Sequence, residues 1–112
     1  MIGLTFPEIA EMFQDDDETE MIVMLGEIGG SQEEQVADLV ASGSVIKPMV
    51  AYVGGKAAQS GTRYSHAGAI VEGGRGTWAG KVERLKEVGV TVVGQLSEIP
   101  SVVQSLRLQV QR

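Results

Sequence analysis

The sequence predicts an α/β fold, a parallel sheet flanked by helices. Three apolar segments of strand length, at residues 21–25, 45–53 and 90–93, alternate with segments whose apolar residues recur at helical spacing. Alternation of this kind is typical of parallel strands joined by right-handed helical crossovers. The 112 residues suffice for one small domain. The predicted order is helix–strand–helix–strand–loop–helix–strand–helix.

The first helix has a recognisable start. Thr5 is predicted as its N-cap, Pro7 lies in its first turn, and Glu8 completes a capping box. The residues predicted to face inward are Phe6, Ile9, Met12 and Phe13. The acidic run at residues 15–18 is interpreted as a solvated turn, since consecutive carboxylates on a loop rarely form a metal site.

The next two elements are a strand and a helix around a glycine-rich loop. The continuous apolar run at residues 21–25 predicts a strand buried on both faces, and it leads into the loop at residues 26–30. Ser31 is predicted to open the second helix, with a capping box over residues 31–34. The residues predicted to face inward are Val36, Leu39 and Val40. Gly43 suits the left-handed position after the helix.

The second half of the chain repeats the alternation. Residues 45–53 predict the next strand, and Pro48 near its start is compatible with that assignment. A loop follows, and then a helix with Trp78, Val82 and Leu85 on one face. Gly89 ends this helix, and residues 90–93 form the third strand. Ser97 is predicted to cap a last helix, whose inward residues are Ile99, Val102, Val103 and Leu106.

The charge is unevenly distributed. The net charge is −6, yet residues 1–38 carry eleven acids without Lys or Arg, and residues 39–112 carry nine bases and four acids. Six bases lie between positions 56 and 86: Lys56, Arg63, Arg75, Lys81, Arg84 and Lys86. Such a concentration suits a phosphate-bearing ligand or an acidic partner surface. Lys81, Arg84 and Lys86 are predicted instead to form the solvated face of their helix.

Composition narrows the class of protein. No Cys is present, so the chain offers no disulfide, thiol nucleophile or Cys-ligated metal, and a cytoplasmic location is predicted. The longest apolar runs are far shorter than a membrane span. Overall acidity and the lack of interleaved aromatic and basic residues argue against nucleic acid. Neither a membrane nor a nucleic acid is therefore expected as a partner.

The candidate site centres on His66, the only histidine. Neutral imidazole is the one good nucleophile and proton carrier that this chain offers at neutral pH. Its small neighbours, including Gly68, leave backbone exposed for a bulky polar group. Glu27 and His66 each follow the carboxyl end of a predicted strand, where ligands of parallel sheets collect. A Glu27 carboxylate bonded to one ring nitrogen would leave the other for attack.

Other interpretations of these residues stay open. A lone histidine is often a surface or core residue without chemistry. Glu27 also suits a helix-start charge, favoured by the dipole of the helix that begins at Ser31. Gly29, Gly30 and Ser31 precede a helix and offer amide donors for phosphate, as do residues 74–77, although a glycine before a helix is also an ordinary connection.

Several motifs resemble one family. Residues 55–58 (GKAA) and 63–70 (RYSHAGAI) look like the phosphohistidine signature of the succinate–CoA ligase alpha subunit. Residues 22–30 (IVMLGEIGG) look like that family's strand and glutamate loop, and residues 73–77 (GGRGT) fit its glycine-rich segment. The similarity runs in order from about residue 1 to residue 106. The resemblance is therefore to the C-terminal phosphohistidine domain of an NDP-forming acyl-CoA ligase.

The resemblance implies a fold, a reaction and partners. It implies a flavodoxin-like sheet truncated on its N-terminal side to about three main strands, with residues 1–112 as one C-terminal ligase domain fragment. His66 would carry phosphate between an acyl phosphate and a nucleoside diphosphate, with Glu27 orienting the ring and Gly29, Gly30, Ser31 and Gly68 binding phosphate. No metal ligand is expected in this chain.

The cofactors of the resembled family are expected to bind elsewhere. CoA would bind an absent N-terminal domain of the same subunit, and Mg²⁺ with ATP or GTP would bind a partner beta subunit. The isolated chain is expected to be inactive and to form a homodimer or higher oligomer. An enzyme of this type would belong to the tricarboxylic acid cycle.

The sequence departs from the family signature around the histidine. Ser65 replaces the usual Gly, Tyr64 replaces an aliphatic residue, and residues 57–60 lack a usual Pro. The acyl group is therefore left open among succinate, malate, acetate and a citrate-like acid. A different class, a non-catalytic flavodoxin-like interaction or ligand-binding module, remains the alternative.

Overall fold

The computed structural model describes residues 3–55 and 77–110, and the elements follow the predicted order. They are α1 (Phe6–Asp15), β1 (Ile22–Glu27), α2 (Gln32–Ala41), β2 (Met49–Gly54), α3 (Trp78–Glu87), β3 (Thr91–Val92) and α4 (Ile99–Val110), the last preceded by a 3-10 turn at Leu96–Glu98. None of the helices in these two ranges is long and apolar enough to cross a membrane.

The sheet is parallel and has three strands within the described ranges, in the order β1–β2–β3. Ile22 of β1 pairs with Met49 of β2, and Glu27, the last residue of β1, pairs with Gly54, the last of β2. The strand β3 pairs with β2 through Thr91 and Val92 only. The predicted α/β class with a small parallel sheet is confirmed.

The core lies between one face of the sheet and the helices α1, α2 and α3. We call this face the inner face; its strand residues are Ile22, Met24, Met49, Ala51 and Val53. The helix residues buried against it are Ala10 of α1, Val36 and Ala37 of α2, and Val82 and Leu85 of α3. The helix α4 contacts β2 but contributes none of these core residues.

One prediction about β1 is wrong, and it concerns the face opposite the inner face. The run at residues 21–25 was expected to be buried on both sides, but Val23 and Leu25 are 46% and 56% exposed while Ile22 and Met24 are buried. The reason is the position of each strand in the sheet. Among the described strands β1 is an edge strand, whereas β2, with Val50 and Ala51 both fully buried, is central. A continuous apolar run does not distinguish the two positions.

The start of α1 has the predicted N-cap but not the predicted capping box, because the Glu8 carboxylate accepts from the Thr5 hydroxyl and not from the Thr5 amide. The buried face of α1 is also narrower than expected. Thr5 is the N-cap, its hydroxyl accepts from the Glu8 amide at 3.4 Å, and Glu8 accepts from that hydroxyl at 2.8 Å. Phe6 packs against the core, but Met12 and Phe13, predicted to face inward, are largely exposed. Phe13 lines an apolar groove together with Phe6 and Ile9.

The remaining boundaries shift by a few residues. The strand β2 begins at Met49 rather than at residue 45, although Val45 is buried just before it. The cap predicted at Ser97 is instead at Gln95, whose side chain forms a capping box with Glu98. Gly43 and Gly89 have φ of 84° and 94°, the left-handed positions that their places after α2 and α3 require.

Candidate functional site

The candidate site lies where β1 and β2 end side by side. Glu27 is the Cα partner of Gly54, and a Cβ placed on Gly54 would lie 3.9 Å from the Glu27 Cγ. The exposed Glu27 side chain therefore rises next to the point where the chain leaves β2 toward the segment of residues 56–76. The predicted location of Glu27 at the carboxyl end of the sheet is confirmed.

His66 and Gly68 lie in residues 56–76, outside the described residues, as do Lys56, Arg63 and Arg75. The prediction that His66 contacts Glu27 therefore stays a prediction. Both ends of that segment are described, however, and both are fixed at the carboxyl end of β2.

The first of these ends is Gly55. It has φ of 94°, and a Cβ at this position would lie 2.6 Å from the Ile28 Cγ2, so both conformation and space require glycine. Ile28, immediately after Glu27, is buried. The chain thus enters residues 56–76 in contact with the loop that carries Glu27.

The second end is the start of α3. Thr77 is the N-cap, with its hydroxyl accepting from the Gly80 amide at 3.0 Å. The Trp78 Nε1 donates to the Val53 carbonyl at 2.9 Å, which attaches the first turn of α3 to the end of β2. Both ends of the segment that contains His66 therefore lie near the carboxyl end of β2, which is the end of the sheet where Glu27 lies.

The glycine-rich loop between β1 and α2 has an unusual backbone. Gly29 and Gly30 have φ of 91° and 65°, a left-handed conformation that glycine adopts without steric cost. Ser31 is the N-cap of α2 as predicted, but its side chain caps no amide and instead accepts from the Gln35 Nε2 at 3.0 Å. The predicted capping box over residues 31–34 is wrong, because the Glu34 carboxylate binds Lys81 instead.

Lys81 is the clearest departure from the sequence analysis. We expected it on the solvated face of its helix, but it is fully buried. Its Nζ donates to the Glu33 Oε1 at 2.6 Å, to the Glu34 Oε1 at 2.8 Å and to the Gly30 carbonyl at 3.1 Å. An ammonium group can be buried when charged acceptors replace its water, and here two carboxylates and a carbonyl do so.

Glu33 connects this cluster to the candidate site. While its Oε1 accepts from Lys81, its Oε2 accepts from the Glu27 amide at 2.9 Å. Gly26 makes the approach possible, since a Cβ there would lie 2.5 Å from the Glu33 Oε2. These interactions place Lys81 and Glu33 directly behind residues 26–31, which we call the Glu27 loop.

The other two bases of α3 behave largely as predicted. Lys86 is exposed, and Arg84 lies at the surface, where it pairs with Asp38 at 2.8 Å and with Glu87 at 3.5 Å. The hydrogen bond that Arg84 donates to the Asp38 carboxylate raises the pKa of this guanidinium above its ordinary value.

Sequence reasoning missed the cluster of Lys81 and Glu33, although one signal for Lys81 was present. Trp78, Lys81, Val82 and Leu85 are spaced i, i+3, i+4 and i+7, so Lys81 falls within the apolar stripe of α3. A basic residue in such a stripe indicates a buried partner. No comparable signal identified Glu33, because acidic residues are ordinary in the first turn of a helix.

No group of three or more His, Cys, Asp or Glu residues within 3–55 and 77–110 has the arrangement needed to hold a metal ion. Asp15 ends α1, and the rest of the acidic run lies in the turn that follows, in which Asp16 accepts from the Glu18 amide at 3.2 Å and from the Thr19 hydroxyl at 2.7 Å.

Comparison with known proteins gives a consistent family. Residues 4–91 match the family described as CoA-ligase. The chain is 40% identical over 104 residues to a subunit of the ADP-forming sulfoacetate–CoA ligase of Bilophila wadsworthia, covering 93% of this chain and 36% of that subunit. It is 43% identical over 104 residues to the alpha subunit of the ADP-forming succinate–CoA ligase of Aquifex aeolicus, covering 93% and 34%.

The solved structures agree on the fold. ATP citrate lyase from Methanosaeta concilii, in complex with (3S)-citryl-CoA, superposes with a TM-score of 0.81 over 91% of this chain and 17% of that one, at 22% identity. The chain spans about a third of the length of the curated relatives it matches.

Proposed function

Because this chain belongs to the CoA-ligase family, we propose that it is part of the alpha subunit of an NDP-forming acyl-CoA ligase and that His66 carries phosphate during the reaction. In this proposal residues 1–112 are a piece of the C-terminal, phosphohistidine domain. The observation that supports it most directly is the position of Glu27 beside the end of β2, where the chain enters the segment that contains His66 and to which the first turn of α3 is attached after it.

The proposed chemistry uses the nucleophilicity of a neutral imidazole. One ring nitrogen of His66 attacks the phosphorus of an acyl phosphate, the bond from phosphorus to the acyl oxygen breaks, and the carboxylate leaves. The Glu27 carboxylate accepts a hydrogen bond from the other ring nitrogen, which orients the ring and favours the positive charge that develops on it. The phosphoryl group then passes to a nucleoside diphosphate.

The proposed phosphate cradle is the start of α2, with Gly68 from the histidine segment. Gly29, Gly30 and Ser31 precede the helix, the two glycines in left-handed conformation, and the Ser31 side chain caps none of the first-turn amides. Helix N-terminal amides and the helix dipole both favour a phosphate. Lys81 supports this role because it compensates part of the negative charge of Glu33 and Glu34 in the same turn.

The partners follow from the family and remain part of the proposal. The relatives are subunits of ADP-forming ligases, one of them an alpha subunit, which supports a beta subunit as partner. We assign nucleotide and Mg²⁺ to that subunit and CoA to the remainder of the subunit to which this chain corresponds. The acyl acid stays open, since one relative takes sulfoacetate and another succinate.

The test is phosphoryl transfer from labelled nucleotide to the protein. In the assembled ligase, with Mg²⁺ and γ-labelled ATP or GTP, the parent is expected to take up label at this chain, and His66→Asn is expected to take up none. The 112-residue chain alone serves as a control and is expected to form no acyl-CoA. Label that survives His66→Asn would overturn the proposal and favour a non-catalytic interaction or ligand-binding module.

A further inference from the structure

The cluster behind the candidate site has a role of its own. We propose that Lys81 is a positioning residue, which acts through Glu33 to hold the Glu27 loop, residues 26–31, in place. The inference rests on the proposed function where it concerns phosphorylation of His66, but its structural part can be tested independently.

The first observation is the burial of a charge without solvent. Lys81 is 0% exposed, and its Nζ has three acceptors within 3.1 Å: Glu33, Glu34 and the Gly30 carbonyl. A buried ammonium is expensive unless it is fully paired, so a fold that needed only packing at this position of α3 would place an apolar residue there. The Lys81 ammonium group is therefore expected to hold its acceptor groups in place.

The second observation concerns the groups that the bonds of Lys81 and Glu33 connect. The two carboxylate oxygens of Glu33 are divided between Lys81 and the Glu27 amide, at 2.6 and 2.9 Å. Lys81 thus fixes the carboxylate that fixes the Glu27 backbone. Its bond to the Gly30 carbonyl holds the same loop a second time, three residues further along. The loop is held at both ends by one ammonium group.

The third observation is the helix from which Lys81 extends. The helix α3 begins at Trp78, directly after the segment of residues 56–76, and its first turn is attached to β2. Lys81 lies one turn into α3, so its bonds tie the returning end of the histidine segment to the loop that carries Glu27. The proposed pairing of Glu27 and His66 requires a fixed distance between the start of α3 and the Glu27 loop.

The test measures amide hydrogen exchange, residue by residue, in the full 112-residue chain. Lys81→Met keeps the aliphatic stem and removes the ammonium, and Lys86→Met makes the same change at an exposed position of the same helix. Glu33→Gln and Glu34→Gln form a second matched pair: each weakens one contact with Lys81, but only Glu33 accepts from the Glu27 amide. Amides of β2 serve as the internal reference.

We expect exchange at the Glu27 amide to be about ten- to a hundredfold faster in Lys81→Met and Glu33→Gln, since a bond to a charged acceptor is lost or weakened. Lys86→Met and Glu34→Gln are expected to leave it within about twofold of the parent. Exchange at Glu27 that is no faster in Lys81→Met than in Lys86→Met would overturn the proposal, and so would equal exchange in Glu33→Gln and Glu34→Gln. If Lys81→Met does not fold, equal exchange in the glutamate pair still overturns it.

A second measurement connects the loop to the chemistry. In the assembled ligase, Glu33→Gln is expected to slow labelling of His66 by about tenfold, with Glu34→Gln close to the parent. If exchange at Glu27 changes as expected but the parent itself takes up no label, the proposed function fails and the positioning role of Lys81 stands. If the parent takes up label but exchange at Glu27 is unchanged in the variants, the proposed function stands and the positioning role of Lys81 fails.

Discussion

At the scale of single residues, the backbone and the side chain of Glu27 have different surroundings. Its amide donates to Glu33 inside the fold, while its side chain is exposed above the end of β2. The carboxylate can therefore be altered without breaking the bond that shapes the loop. This separation makes Glu27 a suitable position for testing chemistry apart from stability.

We predict that Glu27→Gln slows phosphorylation of His66 by about one to two decades, because one charged hydrogen bond, typically worth about 1.5–3 kcal/mol, becomes a neutral one. The fold should be retained, because the bond from the Glu27 amide to Glu33 is kept. Single-turnover labelling of the assembled ligase measures the rate, and a thermal melt checks the fold. Glu20→Gln, which changes another exposed carboxylate just before β1, is the control. Near-parental labelling by Glu27→Gln would reduce this residue to a helix-start charge.

At the scale of the elements, the turn between α1 and β1 shows how an acidic run is accommodated. Asp16 follows the end of α1 and accepts hydrogen bonds from Thr19 and from the Glu18 amide. The Lys47 Nζ contacts the carbonyls of Phe13 and Asp16. The Thr19 hydroxyl, and after it the Glu18 amide, lower the pKa of Asp16 below its ordinary value of 3.8.

The direction of this shift predicts a pH dependence. A folded-state pKa below the unfolded value means that the charged form of Asp16 stabilises the fold fully above about pH 3.8 and that this contribution disappears as the pH falls through the folded pKa. The difference in melting temperature between the parent and Asp16→Asn should therefore be greatest near neutral pH and shrink in acid. Melts from pH 6 down to about 2.5 measure it.

The matched control is Asp17→Asn, an exposed neighbour in the same turn. Because the Asp16 carboxylate is at the surface, the effect is expected to be small, and only its pH dependence is diagnostic. A difference between Asp16→Asn and the parent that stays constant across this range would contradict the assigned role of the Thr19 and Glu18 hydrogen bonds.

At the scale of the whole molecule, the edge of the described sheet at β1 has no neighbouring strand. No strand within residues 3–55 and 77–110 pairs with the edge of β1 that faces away from β2. An apolar groove runs beside it, lined by residues that include Phe6, Ile9, Phe13, Val23 and Leu25. A parallel edge together with exposed apolar side chains favours association.

We predict that the 112-residue chain forms a homodimer or higher oligomer and that Leu25→Lys, which places a charge in the open face of β1, shifts it toward monomer. Ile46→Lys is the control, since Ile46 is an exposed apolar residue that precedes β2 at the opposite end of the sheet. Sedimentation over a wide range of concentrations measures the mass. A parent that stays monomeric throughout would contradict the prediction.

What the sequence alone determined about this protein is the order of its elements and several of their ends. Thr5, Gly43 and Gly89 occupy the predicted cap and left-handed positions, because capping and left-handed turns depend on neighbouring residues in the chain. Glu27 lies where it was predicted, since the end of an apolar strand can be read locally. Its contact with His66 stays a prediction.

Only the tertiary structure decided which charges and which apolar residues are buried. Lys81 is buried because Glu33, 48 residues earlier in the chain, meets it across the helices α2 and α3. Val23 and Leu25 are exposed because β1 lies at the side of the described sheet. Burial of this kind depends on which distant segment covers a residue. Spacing along the chain puts Lys81 in the apolar stripe of α3, but it does not identify Glu33 as the residue that meets it.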